Sequence, residues 1–421
     1  MRRDWGFIKD PLYGYIKISQ LEREVIDTAP VQRLRRIRQL SGAEYVYPAA
    51  THTRFEHSLG AMYLAGLICD NVPLGLEEAD AEMLKLAALL HDLGHGPFSH
   101  IFDPILIKYL KKTHEDITVW LIRESEVKEI LSAQLDADKI SRLAVGALRD
   151  KERPFLDQVI SSAFDVDKMD FVARDSYHTG AEYGYTDMFR LIYTMDVINN
   201  SLAVSSTALA TLEAFLLARL ESFKTIYFHK ASRAAQIMLV HALEKARHEL
   251  NLTSFTTVED YLALDDYHVW HQLKRCKQSE PIIRDLERRK LLKCAFETTL
   301  YTRDAVVTSI FTKESVREHL EEEIASTAGV DPDDVSIDVP SLPSVPYSHS
   351  TEEPMDVPIA FDLGNGKKEI RRVGELSRVI DVLRVYMNIL RVYTPEQHRR
   401  KVKEASERVL GNLPSETKLS Y

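Results

Sequence analysis

The chain has 421 residues, 45% of them hydrophobic and 9% aromatic, well above the roughly 20% Leu, Ile, Val and Phe below which a chain stays disordered. Its 54 Lys and Arg against 64 Asp and Glu leave a net charge of −10, which argues against stable nucleic-acid binding and requires any anionic ligand to meet a local basic pocket. Three cysteines without paired spacing, Cys69, Cys276 and Cys294, argue against a disulfide framework or thiolate metal site, and no run of about 18 uncharged apolar residues offers a membrane span, so a soluble cytoplasmic protein is expected.

The N-terminal stretch MRRDWGFIKDPLYGYIKI carries positive residues but no apolar run of a signal peptide behind them. From about 21 to 325, apolar residues recur every three or four positions with turn residues between them, predicting helix after helix. Arg33, Arg35, Arg36 and Arg38 interleave with Val31, Leu34, Ile37 and Leu40, the pattern of an amphipathic helix with a basic solvated face. Leu59, Met62, Tyr63, Gly66 and Leu67 form the next stripe, then Met83, Leu86, Ala87 and Leu90. Gly94, Gly96 and Pro97 end that second helix, leaving His91 and Asp92 at its end.

The stretch DQVISSAFDVDKMDFVARDSYHTG is expected to be helical through Asp175 and to stop near Gly180, with Asp167 in its middle. Further helices are expected around 208–225, 230–250, 257–264 and 281–296. The acidic, proline-bearing segment 328–358 disfavours regular helix. Alternation in VSIDV and PIAFDL, with a Gly-Asn-Gly turn at 364–366, predicts short strands, and a terminal helix follows from about Gly374. The expected protein is mainly α, with a helical domain over 1–325 and a small α+β appendage over 326–421.

An adjacent His-Asp pair offers one imidazole and one carboxylate, a set suited to divalent transition metals more than to calcium, and the carbonyls of a helix end favour a cation. A lone dipeptide is weak, but this one sits in LLHDLGHGPFSH, where His91, His95 and His100 follow closely. His57, under the 59–67 stripe, reads equally well as a core histidine or a ligand, and Asp165, Asp167 and Asp170 compete for a ligand role against that of solvated helix carboxylates.

Four ordered blocks, VQRLRRIRQL at 31–40, HTRFEHSLG at 52–60, LLHDLGHGPFSHIFD at 89–103 and DVDKMDFVARD at 165–175, resemble the HD superfamily of metal-dependent phosphohydrolases. The resemblance is to its branch of SAM-and-HD-domain deoxynucleoside triphosphate triphosphohydrolases, without the SAM module. It implies a helical HD core, and it implies His57, His91, Asp92 and Asp167 as ligands of iron, manganese, nickel or zinc, with magnesium as a weaker alternative. Asp165 and Asp170 are left the solvated role. The implied reaction is hydrolysis at the α-phosphorus, releasing deoxynucleoside and intact triphosphate.

The resemblance implies His95, Asp103 and His114 as the acid–base group, His114 protonating the leaving 5′-oxygen and Asp103 orienting an imidazole; His100 is left structural. It implies Arg54, Lys168 and Arg219 as triphosphate contacts, against the alternative of solvated surface charge. Gln39 and Asp175 match 3′-hydroxyl contacts, and Leu40 and Tyr227 match positions crowding the 2′ carbon. Two departures from the pattern bear on base choice: Phe171 stands where tyrosine is usual and Phe228 where glutamine is. Asp27, Gln32 and Arg35 match an activating guanine-nucleotide site at a subunit interface of a homo-oligomer, although Gly6 replaces a basic residue there. Two other readings stay open: another HD chemistry, such as a nucleotide phosphodiesterase or phosphatase, or a nucleotide-sensing module with a vestigial site.

Overall fold

The computed structural model describes residues 4–302, 313–340, 357–364, 367–383 and 386–411. Most of the chain is helical, and one large core is built from helices between Gln20 and Glu287. At its centre the Arg54–Asn71 helix packs against the Glu78–Leu90 and Val166–Thr179 helices. Local chemistry sets their ends. Thr53 and Glu56 form a capping box at the start of the first, a device that satisfies amide groups with no partner inside the helix. Asp165 accepts from the Lys168 amide at the start of the third, and Gly180, at φ 77°, ends it in the left-handed conformation that glycine adopts without cost.

Three small sheets accompany the helices. Asp4–Asp10 and Gly14–Ser19 form an antiparallel hairpin. A four-stranded sheet runs Met195–Ile198, Ser201–Ser205, Pro358–Asp362, Lys368–Arg372, its central pair parallel. In the third, Tyr386–Thr394 lies antiparallel between Lys293–Thr302 and Ser336–Asp338. A separate small core, with Ile324, Ile337, Val392 and Val402, joins this sheet to the Glu314–Ala328 and Arg399–Leu410 helices. The strands at VSIDV and PIAFDL form as expected; Asn365 and Gly366 of the expected turn, and 341–356 of the proline-bearing segment, lie outside the described residues.

Four helical expectations are corrected. Helix around 281–296 ends at Glu287, and KCAFETTLYT is a strand, its Thr, Phe and Tyr content suiting a pleated half-buried surface. The helical run from 21 to 325 is interrupted by the strands Met195–Ile198 and Ser201–Ser205. The terminal helix is split by the strand Tyr386–Thr394. The 31–40 segment is no amphipathic helix: it turns at Leu34–Arg36, and Arg38 then forms a β-bridge with Thr53. Arg33 is fully buried, because its guanidinium satisfies the Leu264 and His95 carbonyls. Among the described residues no helix is long and apolar enough to cross a membrane.

Candidate metal centre and active site

His57 is the fourth residue of the Arg54–Asn71 helix, His91 and Asp92 follow directly on the Glu78–Leu90 helix, and Asp167 is the second residue of the Val166–Thr179 helix. The packing of the three brings these side chains to one point. His57 Nε2 lies 3.2 Å from His91 Nε2, 3.4 Å from Asp92 Oδ2 and 3.1 Å from Asp167 Oδ1. His91 Nε2 is 3.3 Å from Asp92 Oδ1 and 3.7 Å from Asp167 Oδ1.

The other ring nitrogens are committed elsewhere. His57 Nδ1 donates to Asp170 Oδ2 and His91 Nδ1 to the Ala88 carbonyl, each at 2.8 Å, which leaves both Nε2 atoms facing the same place. The His57, His91 and Asp92 donors lie close enough together to share one divalent transition metal, and Asp167 Oδ1 borders both imidazoles. The electrostatics agree. Burial pulls the His57 imidazole down, but Asp167, Asp170 and Asp92 outweigh it and lift it to about 10. Burial likewise opposes the charged form of Asp92 and Asp167, yet Arg54 and His91 hold the first, and His57 and His91 the second, well below the usual carboxylate range.

Asp165 and Asp170, expected to be solvated, are both buried. Asp165 caps its helix and accepts from Lys168 Nζ at 2.5 Å. Asp170 accepts from the Tyr13 hydroxyl at 2.8 Å and from Arg174 Nε and Nη2 at 2.8 and 2.9 Å; Arg174 in turn reaches Asp10 at 2.9 Å. Asp170, Arg174, Asp10 and Tyr13 form a supporting layer that sequence reasoning did not find. The signal was available: Asp167, Asp170 and Arg174 recur at three and seven positions and so share a helix face. Gly60 makes room for this layer, since a Cβ there would lie 1.8 Å from Asp170 Oδ1.

Beside the metal candidates stands a second cluster, His95, His100, Asp103 and His114. Asp103 Oδ2 is 3.2 Å from His114 Nδ1 and 2.9 Å from His100 Nδ1, while His95 Nε2 is 3.3 Å from Asp92 Oδ1. The His95 and His114 rings stack with centroids 4.0 Å apart, within 16° of parallel. Their lone pairs therefore lie in parallel planes and cannot both aim at one ion about 2 Å away. Burial pulls His114 down, but the Asp103 charge and hydrogen bond outweigh it and its affinity for a proton rises; His95, buried beside Arg54 and His114, is held neutral. His100, assigned only a structural role from sequence, shares Asp103 with His114 and is 55% exposed.

The loop carrying these residues is pinned from the far side. The Tyr261 hydroxyl donates to the Gly94 carbonyl at 2.7 Å, Arg33 Nη1 to the His95 carbonyl at 2.8 Å and the Phe98 amide to Asp266 at 2.6 Å. Phe98 and Ser99 hold φ values of 63° and 56°, strain of the kind that persists where surrounding bonds over-determine the backbone.

The proposed triphosphate contacts are not surface charges. Arg54, 3% exposed, donates to Asp92 Oδ2 at 2.6 Å and Ser99 Oγ at 2.9 Å. Lys168 is tied to Asp165, and buried Arg219 lies within electrostatic reach of Asp165 and Asp167. All three border the metal candidates. Asp175 is buried, with Oδ1 2.7 Å from His52 Nε2 and Oδ2 accepting from the Tyr227 hydroxyl at 2.5 Å. Leu40 and Tyr227 meet in one small apolar cluster, and Phe171 meets the Tyr227 ring edge-on. Phe228 is buried against Phe223 and Ile389. At the other end of the 27–35 segment, Arg35 donates to Gln32 and stacks on Phe55, Gln32 donates to the Ile26 carbonyl, and Asp27 pairs with Arg23.

Comparison with known proteins agrees with this architecture. Family models for the HD domain and for the HD-associated region match residues 54–175 and 186–420. The uncharacterized protein YwfO of Bacillus subtilis is 30% identical over 89% of this chain and 88% of its own length. The deoxynucleoside triphosphate triphosphohydrolase SAMHD1 of Homo sapiens is 30% identical over 69% of this chain, which spans 55% of that protein. A crystal structure of a hypothetical protein from Aquifex aeolicus superimposes with a TM-score of 0.77 at 30% identity, covering 95% of this chain and 99% of that one.

Proposed function

The chain belongs to the HD family of phosphohydrolases, and from that premise we propose that it hydrolyses deoxynucleoside triphosphates to deoxynucleoside and tripolyphosphate. The observation that supports this reading is the neighbourhood of the His57, His91, Asp92 and Asp167 set: His95 Nε2 lies 3.3 Å from Asp92 beside the Asp103–His114 pair, and buried Asp175, bonded to Tyr227, follows about two turns along the helix that carries Asp167. The similarity to SAMHD1 supports the same substrate class.

A divalent metal held by His57, His91, Asp92 and Asp167 supplies, when bound, a polarised phosphoryl group and a water of lowered pKa. The chain's own groups do the rest. Arg54, Lys168 and Arg219 bind the phosphate oxygens, Arg54 by turning part of its fork away from Asp92. His114, kept protonated by Asp103, delivers its proton to the departing 5′-oxygen, and His95 lines the same pocket as a neutral ring. Asp175 and Gln39 receive the sugar 3′-hydroxyl, while Leu40 and Tyr227 crowd the 2′ carbon and favour deoxyribose. Iron, manganese, nickel or zinc suits the donor set, with magnesium weaker. An activating guanine nucleotide at Asp27, Gln32 and Arg35, acting on a homo-oligomer, belongs to the same proposal.

The test is incubation of metal-loaded protein with a panel of deoxy- and ribonucleotides, products being resolved by chromatography. Tripolyphosphate and nucleoside are expected. Orthophosphate or pyrophosphate would instead point to a phosphatase or phosphodiesterase. An Asp92→Ala protein that kept both metal and turnover would refute the site itself. GTP that altered neither oligomer size nor rate would remove the activation proposal.

A further inference from the structure

We propose that His52 is a positioning residue for the 3′-hydroxyl of the substrate, an inference that rests on the deoxynucleotide reading above. His52 lies just before the Arg54–Asn71 helix, its side chain wholly buried. Its Nε2 is 2.7 Å from Asp175 Oδ1, and its backbone carbonyl accepts from the Gln39 amide at 3.0 Å. One residue thus holds the Asp175 carboxylate by its side chain and the Gln39 backbone by its main chain.

The surroundings hold this arrangement still. The His52 ring stacks on His178 with centroids 4.3 Å apart and planes 12° from parallel, and His178 Nε2 lies 3.4 Å from Glu56 Oε2. The Tyr227 hydroxyl occupies the other Asp175 oxygen, so the carboxylate cannot rotate. Gln39 is 9% exposed, and its side-chain carbonyl is buried without a hydrogen-bond partner. A substrate hydroxyl that donates to Gln39 beside Asp175 satisfies that group, and the Asp175 carboxylate is ordered before the substrate arrives. A nucleotide lacking the hydroxyl leaves the Gln39 carbonyl unsatisfied, which is how a site built for a hydroxyl rejects its absence.

The experiment measures kcat/KM for a deoxynucleoside triphosphate and for its 2′,3′-dideoxy analogue. His52→Ala is expected to lower the ratio about tenfold, the loss of one hydrogen bond. His52→Gln, whose amide reaches Asp175, is expected to keep it within about threefold. In an Asp175→Asn background, His52→Ala is expected to change the ratio less than about twofold, because the effect passes through Asp175. If His52→Ala does not fold, His52→Asn, whose shorter amide stops short of Asp175, replaces it. An active variant with the wild-type ratio, or one that loses rate equally on both nucleotides, overturns this inference alone. A wild-type protein that leaves deoxynucleoside triphosphates intact overturns the substrate reading and this inference with it.

Discussion

Asp103 and Asp170 each hold a histidine, and in the proposed reaction the two histidines serve different steps. Asp103 raises the affinity of His114 for the proton that the proposed acid would deliver. The rate should therefore fall as pH rises through the His114 pKa, which lies above the ordinary imidazole value. Asp103→Asn lowers that pKa, so the alkaline limb of the kcat profile should move to lower pH; a limb that stayed in place would remove His114 from the acid role. Asp170 instead fixes the His57 ring so that its Nε2 faces the other metal candidates. Asp170→Asn should weaken metal binding about 10–100-fold by calorimetric titration. It should also cost about 3–5 kcal/mol of stability, since buried Arg174 loses a charged partner. Unchanged metal affinity would show that the supporting layer serves the fold alone.

The Arg54–Asn71 helix is the element on which both requirements meet, because one of its faces carries His57 and the residue three further on is Gly60. Gly60 has no room for a side chain, whereas a Cβ on Gly66 would meet only the Lys85 chain at 3.5 Å. Two Gly→Ala changes in one helix should therefore have opposite signs. Gly60→Ala should lose about 1–3 kcal/mol in chemical denaturation by overpacking, and Gly66→Ala should gain about 0.5–1 kcal/mol from the stiffer unfolded chain. Equal effects would mean that the Asp170 layer yields easily. The helix that ends at Leu90 contributes differently: its terminal carbonyls carry partial negative charge towards the ion that His91 and Asp92 would hold.

For the molecule as a whole, a metal held at this site would compete with protons. The carboxylates around His57 lift its imidazole to about 10, so a metal bound there should displace a proton. Binding heats measured in two buffers of different ionisation enthalpy should reveal net proton release, and affinity should weaken as pH falls. No net release would contradict the shared site. Removal of the metal by chelation should lower the thermal midpoint, because a ligand present at about 100 times its Kd stabilises the folded state by about 2.7 kcal/mol. The C-terminal sheet enters the same accounting. Arg391 donates to the Phe228 carbonyl and the Tyr393 hydroxyl to the Lys230 carbonyl, close in the chain to Tyr227, a residue of the proposed sugar site.

The helical class and the main helices were legible in the sequence, because helical periodicity and the glycine and proline stops are local properties of the chain, whereas the grouping of His57, His91, Asp92 and Asp167 was legible only through the resemblance of ordered blocks to a known family. The strands Lys293–Thr302 and Tyr386–Thr394 were not, because each is completed by a partner about ninety residues away. Neither was the burial of Arg33, Arg54, Asp165 and Asp170. A charged side chain reads as solvated until a counter-charge or a free carbonyl arrives from elsewhere in the fold to offset its desolvation. The residue types of a candidate metal and acid–base site were thus written in the sequence. Which nitrogen of His57 faces the metal candidates, and what holds it there, was decided only when Asp170, Arg174, Asp10 and Tyr13 closed around it.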